Sequence, residues 1–173
     1  MPTRSRLKRL EKLTQPQYAL LQDITDQGAI DAAGLEALVG DFVAQRLALS
    51  DALMAAAQVL RAHENPLVRR SAVSRSYYAA YQARRATVFL VHRRDEDAHK
   101  DLPGEITRLV SAQAGEILKE LSRLRNEFDY SPYPGPNAEA RYDDQEIDGV
   151  VQDTVEQARF FIDQLTAFRN ARG

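Results

Sequence analysis

Residues 65–92 read NPLVRRSAVSRSYYAAYQARRATVFLVH. The opening Asn-Pro pair suits the start of a helix, because an Asn side chain accepts a hydrogen bond from a free backbone N–H and Pro has no N–H to satisfy. The stretch is also rich in alanine, the residue with the strongest intrinsic helix preference. The segment therefore predicts a helix that begins at Pro66 and ends at about His92.

Three further segments place apolar residues at the three- and four-residue spacing of an amphipathic helix. They predict one helix from Phe42 to about Glu64, one from Pro103 to Phe128, and one that starts after Asp143 or Asp144. No long run alternates apolar and polar residues as a half-buried strand does. The predicted fold class is all-α, an antiparallel bundle of four to five helices.

The chain has 173 residues, about the size of one average domain. Glycines at 28, 34 and 40 interrupt the pattern before the first long helix. Residues 1–40 are therefore interpreted as a basic N-terminal lead-in with short helices packed on the bundle. Residues 41–173 are interpreted as the bundle itself.

Composition excludes several classes of protein. There are no cysteines, which rules out disulfides, cysteine-ligated metals and thiol catalysis. The longest apolar run free of alanine is 88–91, far short of the roughly 18 residues of a membrane span, so no membrane association is expected. The basic N-terminus lacks the apolar stretch of a secretory signal, and the expected location is the cytoplasm. Glycine-rich phosphate loops and common metal-ligand spacings are missing, so neither a metal nor a cofactor is expected.

Charge is unevenly distributed along the chain. Residues 61–94 contain eight arginines against one glutamate, a balance of +7. Residues 127–163 contain ten acidic residues against two arginines, a balance of −8. The two regions either complement each other within the fold, or present a basic surface to nucleic acid and an acidic surface to a partner protein.

A first cluster of interest lies in residues 71–84, where tyrosines alternate with small residues and arginines. The tyrosines either pack at a helix interface with their hydroxyls at its rim, or they stack on bases while arginines contact phosphate. Under the second interpretation, the candidate RNA-binding or nucleotide-binding residues are Arg75, Tyr78 and Arg84, together with His99 of the following polar loop.

A second cluster lies in residues 121–132. Arg125 and Asp129 are four residues apart, the spacing of an ion pair on one helix face. Tyr130 would point about 140° away from Arg125 in a continuous helix, so the two side chains are expected to meet only if the helix ends. Pro132 favours an end at this point, since it disfavours helical geometry in the residue before it. The cluster is either a plain cap with an ion pair or a functional polar site.

Together these features resemble the HEPN domain, and most closely its small stand-alone members. The likeness covers roughly residues 45–169 and rests on the tyrosine-rich segment 74–85, the loop with His99, the turn at 124–132 and a final amphipathic helix. It implies a bundle of four to five helices that forms a dimer, with the Arg-Asn turn facing the dimer cleft. It also implies that the gene for this chain lies beside nucleotidyltransferase, toxin-antitoxin or defence genes.

Catalytic HEPN proteins are metal-independent ribonucleases with an arginine and a histidine separated by four to six residues. The resemblance assigns the arginine to Arg125 and the polar second position to Asn126, with Asp129 beside them. Tyr130 stands where the histidine is expected. A phenol with a pKa near 10 is only about 0.1% ionised at pH 7, so tyrosine is a poor general base.

Three functions remain open at this point. The first is a homodimer that binds RNA or nucleotide phosphate through a degenerate or weak ribonuclease site and acts with a nucleotidyltransferase or another toxin-antitoxin or defence partner. The second is an active metal-independent endoribonuclease that uses Arg125 with Tyr130, Asp129 or His99. The third is a structural adaptor whose acidic C-terminal helix binds a basic partner. The homodimer is expected to form through the tyrosine-rich, small-residue face of helix 66–92 and the Arg-Asn turn.

Overall fold

The computed structural model describes residues 22–23, 25–26, 28, 31–93, 102–130 and 143–172. Five helices account for nearly all of this part of the chain, and no strand occurs within it. They are α1 (Ala32–Arg61), α2 (Pro66–His92), α3 (Leu102–Leu109), α4 (Ala112–Tyr130) and α5 (Asp144–Asn170). The predicted all-helical bundle is confirmed.

Helix α2 lies at the centre of the bundle and packs against α1, α4 and α5. Contacts such as Ser50 with Ala79 and Arg46 with Gln82 show that α1 runs antiparallel to α2. Helix α4 is also antiparallel to α2, since Ser74 meets Asp129 near the start of α2. The long helices therefore alternate in direction along the chain.

The buried face of α2 explains this central position. Its alanines at 72, 79, 80, 83 and 86 are completely buried, and small side chains let neighbouring helices approach closely. All five helices contribute to the main hydrophobic core. Tyr77 and Tyr81 are almost fully buried within this core. The expectation that a lone bundle leaves this face partly exposed for a second copy is therefore wrong, because the same chain already covers it. The homodimer itself, and the part of its interface expected at the Arg-Asn turn, stay predictions.

The helix starts follow the predicted capping chemistry. Asn65 accepts a hydrogen bond from the Leu67 N–H at 2.9 Å, and Pro66 is the first residue of α2. Asp143 and Glu146 form a reciprocal capping box at the start of α5. The predictions for the start and end of α2 and for the start of α5 are confirmed.

Helix α1 begins ten residues earlier than predicted. Asp31 caps it through the Ala33 N–H at 3.1 Å, and the helix continues through Gly34 and Gly40. Burial of Leu35 and Val39 beside Phe89 of α2 offsets the weak helix preference of the two glycines. Residue 40 is therefore not a helix boundary. Residues 1–21, which include most of the predicted lead-in, lie outside the described residues.

The single helix predicted from Pro103 to Phe128 is two helices, with a break at Val110 and Ser111. The Ser111 hydroxyl accepts a hydrogen bond from the Ala114 N–H at 3.0 Å, in the manner of an N-cap. Gly115 then packs against α3 so closely that an added Cβ would lie 2.9 Å from the Pro103 carbonyl oxygen. The apolar spacing of the sequence continues across residues 110 and 111, so it does not indicate the break. The break depends on the close approach of α3 and α4.

No helix in the described part of the chain is both long and apolar enough to cross a membrane.

We predict that Gly115→Ala destabilises the fold by about 1–3 kcal/mol, because the added methyl group overlaps Thr107 and the α3 backbone. Gly149→Ala is the matched control, since an added Cβ there meets no atom within 4 Å. It should stabilise α5 by about 0.5–1 kcal/mol. Urea unfolding followed by circular dichroism measures both changes. Equal effects of the two substitutions would contradict the close packing of α3 on α4.

Candidate functional site

Two antiparallel helices bring the second predicted cluster together with part of the first. Ser74 and Tyr78 are one turn apart on α2, and Asp129 and Arg125 are one turn apart on α4. The Ser74 hydroxyl donates to Asp129 Oδ1, and an Nη of Arg125 donates to the Tyr78 hydroxyl. The resulting group is called the Arg125 cluster and consists of Ser74, Tyr77, Tyr78, Arg125, Asn126, Asp129 and Tyr130.

The guanidinium of Arg125 lies among three aromatic rings. Its Cζ is 5.7 Å from the ring centroid of Tyr77, 5.3 Å from that of Tyr78 and 5.0 Å from that of Tyr130. These distances are within the range of cation–π attraction. The other Nη donates to Asn126 Oδ1 at 2.8 Å. The guanidinium is therefore held in place from both helices.

Helix α4 continues through Tyr130, contrary to the expectation that it must end for Tyr130 to reach Arg125. The contact between Arg125 and the Tyr130 ring thus forms within a continuous helix. Tyr130 is 68% exposed, so most of the residue remains open to solvent.

The predicted ion pair between Arg125 and Asp129 is present. Asp129 Oδ2 lies 3.2 Å from Arg125 Nε. The Nε atom is buried, and its N–H makes no hydrogen bond to any residue that the structure describes. This donor is therefore enclosed by the cluster, and a ligand would have to approach the guanidinium elsewhere.

The surroundings of Arg125 and Tyr77 shift the pKa of each group in the direction of its usual form at neutral pH. Burial opposes the charged form of Arg125, but the Tyr78 hydrogen bond and the electrostatic interactions with Tyr78, Tyr130 and Asp129 outweigh it and raise its pKa. Burial also raises the pKa of Tyr77, against the lowering effect of its hydrogen bond with Ser122. Arg125 is therefore cationic and Tyr77 neutral near neutrality.

Two further arginines lie near the cluster. Arg70 of α2 donates to the Phe128 carbonyl oxygen at 3.2 Å, and its guanidinium lies over the Phe128 ring. Arg75 is exposed on α2, one turn before Tyr78, as expected for a residue that binds at the surface. The sequence singled out Arg75 but missed Arg70.

The prediction that Arg84 binds RNA or a nucleotide requires a correction. Its side chain is 1% exposed and forms a buried ion pair with Glu105 of α3, so its guanidinium is not available to an external phosphate. His92 Nε2 lies 3.8 Å from the other oxygen of Glu105. Arg84 therefore fastens the short helix α3 to α2. His99 lies outside the described residues.

The contacts of Ser74, Tyr77 and Tyr78 with α4 were missed by the sequence reasoning. A signal for two of them was present, because Ser74 and Tyr78 share the four-residue spacing of Arg125 and Asp129. When the two helices are antiparallel, this equal spacing places Ser74 opposite Asp129 and Tyr78 opposite Arg125. The contact of Tyr77 with Ser122 had no comparable signal. Within the described residues, no group of three His, Cys, Asp or Glu side chains is placed to hold a metal ion.

No protein-family model matches this chain, and no curated protein matches it.

We predict that Glu105→Gln destabilises the protein by about 3–5 kcal/mol, because it removes the carboxylate that pairs with the buried Arg84 guanidinium. The matched control is Glu36→Gln, which removes the partner of Arg93 from a pair 2.9 Å apart whose glutamate is 55% exposed. That change should cost at most about 1 kcal/mol. Urea unfolding measures both. A cost at Glu105 no larger than at Glu36 would contradict a structural role for Arg84.

Proposed function

We propose that this chain binds the phosphodiester backbone of single-stranded RNA, or a nucleotide phosphate, at the Arg125 cluster. The observation that carries the proposal is the held guanidinium of Arg125, cationic at neutral pH, beside the exposed side chain of Tyr130. The HEPN resemblance points to the same arginine. On this proposal, the protein acts with a nucleotidyltransferase or another partner in a toxin-antitoxin or defence module.

The chemistry of the cluster suits a nucleotide. Guanidinium groups bind phosphate oxygens through charge-assisted hydrogen bonds, and a fixed guanidinium loses less side-chain freedom on binding. An exposed tyrosine ring offers a stacking surface worth about 1–3 kcal/mol per base, without demanding a particular base. Arg75 adds a second positive charge one helical turn from Tyr78.

Asp129 limits the affinity of this site. Its carboxylate already lies against Arg125, so an incoming phosphate competes with an internal anion. The hydrogen bond from Ser74 holds that carboxylate in place. We therefore expect binding that weakens steeply with salt, since released counterions supply most of the affinity.

Catalysis is the second candidate. The position of Tyr130 beside Arg125 supports it, because the resemblance places the catalytic histidine at residue 130. A neutral tyrosine can donate a hydrogen bond but is a poor base at pH 7. The proposed activity is therefore binding with weak or no cleavage.

We predict that Arg125→Gln reduces affinity for a fluorescein-labelled single-stranded RNA of about 12 nucleotides by at least about tenfold. It should also make the plot of log binding constant against log salt concentration less steep, by about one unit of slope. The matched control is Arg123→Gln on the same helix, which removes the same charge from an arginine paired with Glu120 and Glu127. It should change affinity less than about twofold, because those carboxylates already neutralise it. Fluorescence anisotropy measures both.

The same titration carried out between pH 6 and pH 9 tests the ionisation of the site. The raised pKa of Arg125 keeps it charged, and the raised pKa of Tyr77 keeps it neutral, so affinity should stay constant over this range. A loss of affinity with a midpoint near 6.5 would instead assign the contact to a histidine. Equal losses in the Arg125 and Arg123 variants would contradict the proposed site.

We predict that Tyr130→His creates or raises metal-independent RNA cleavage, because an imidazole titrates near neutrality and acts as both acid and base. General acid–base catalysis contributes about 10²–10⁴ in rate, so the gain should be measurable with a fluorogenic RNA in EDTA. The Arg125→Gln/Tyr130→His double variant is the control and should not cleave.

Cleavage by the unmodified chain that Arg125→Gln abolishes would favour the active ribonuclease. A folded Tyr130→His variant that cleaves no faster than the double variant would show that residue 130 is not the catalytic position.

A further inference from the structure

A groove runs between α1 and α5 at the surface of the bundle. Its volume is about 280 Å³, just below the roughly 300–1,000 Å³ of pockets that enclose drug-sized ligands. Met54 and Ala55 of α1 and Ile162 of α5 form its apolar lining. The groove therefore has room for a small molecule with an apolar part.

The charged residues of the groove lie towards opposite ends. Helices α1 and α5 are antiparallel, since the long helices alternate in direction along the chain. This direction places Asp51 of α1 at the same end as Asp163 of α5, and it places Gln58 of α1 at the end of Arg159. One end of the groove is therefore negative and the other is positive.

These opposite charges make no ion pair across the groove. Arg159 and Asp163 are four residues apart on α5, a spacing at which an arginine and an acid often pair. Arg123 and Glu127 of α4 have the same spacing and do pair, at 2.7 Å. Arg159 and Asp163, in contrast, each pair with no charged residue in the described part of the chain. Both signs of charge are therefore available to a ligand.

Asp51 is partly engaged within the chain. It interacts electrostatically with Arg169, a half-buried guanidinium that donates to the hydroxyls of Thr87 and Thr166. Burial lowers the pKa of Arg169, and Asp51 opposes this effect. Asp163 has no such interaction, so it is the carboxylate that an external cation would meet.

We infer that the groove binds a free α-amino acid with an apolar side chain. The ligand carboxylate meets Arg159, its ammonium meets Asp163, and its side chain lies against Met54 and Ile162. A simple anion at Arg159 would be repelled by the carboxylates of the other end, and a simple cation would be repelled by Arg159. A molecule that carries both charges close together avoids both repulsions.

The groove is separate from the site of the proposed function. Arg125 lies on α4, and no residue of the Arg125 cluster lines the groove. The inference therefore does not rest on the proposed function. Arg125→Gln should weaken RNA binding and leave amino-acid binding unchanged.

The test titrates the full chain with L-leucine and follows the backbone amide signals by NMR. We expect saturable shifts near Ala55 and Ile162 with a dissociation constant of about 1 mM, since an open groove covers only part of a ligand. Isocaproate lacks the ammonium of leucine, and isoamylamine lacks its carboxylate. Each should bind at least about tenfold more weakly, because each loses one charge-assisted contact.

Substitutions test the two charged contacts. Arg159→Gln and Asp163→Asn should each weaken leucine binding at least about tenfold. The matched controls are Arg108→Gln and Asp153→Asn, which remove exposed charges outside the groove and should change affinity less than about twofold. Circular dichroism checks that all four variants fold.

Four results would each overturn the inference. The first is no saturable shift up to about 20 mM leucine, well above the expected dissociation constant. The second is saturation at residues away from the groove. The third is equal binding of leucine and of either single-charge analogue, and the fourth is an equal loss of affinity in the Arg159 and Arg108 variants.

Discussion

The structure depends on the burial of one central helix among three others. Helix α2 packs against α1, α4 and α5, and this is sterically feasible because much of its surface is alanine. Small side chains bring the neighbouring backbones close, so contacts across α2 are dense. A larger residue at Ala79 or Ala83 would push at least one neighbouring helix outward. Since Ser74 and Tyr78 belong to the same helix, the geometry of the Arg125 cluster follows from this packing.

Arginine serves different purposes on α2 according to its position around the helix. Arg84 faces the core and is compensated by Glu105, whereas Arg75 faces solvent. Arg70 lies between these extremes and covers the Phe128 ring near the end of α4. The basic segment identified in the sequence is thus divided into a structural part and a surface part. A net charge of +7 over the segment overstates the charge available to an external anion.

The sequence by itself determined the helical class, the start and end of α2 and the start of α5. These features are local: caps such as Asn65 and Asp143 act within three residues, and the 3.6-residue period is contained in each segment. The pair of Arg125 and Asp129 was also predictable, because both residues lie on one helix face.

Tertiary structure alone decided the early start of α1, the break at Val110 and Ser111, the pairing of Arg84 with Glu105 and the contact of Arg125 with Tyr78. Each depends on which helix lies opposite, and periodicity shows that a face is apolar without showing what covers it. Arg84 and Arg75 are alike in sequence, yet the neighbouring helices bury one and expose the other. Whether an arginine is buried like Arg84 or exposed like Arg75 depends on the cost of desolvating its charge and on partners distant in the chain. Neither can be read from the residues next to it.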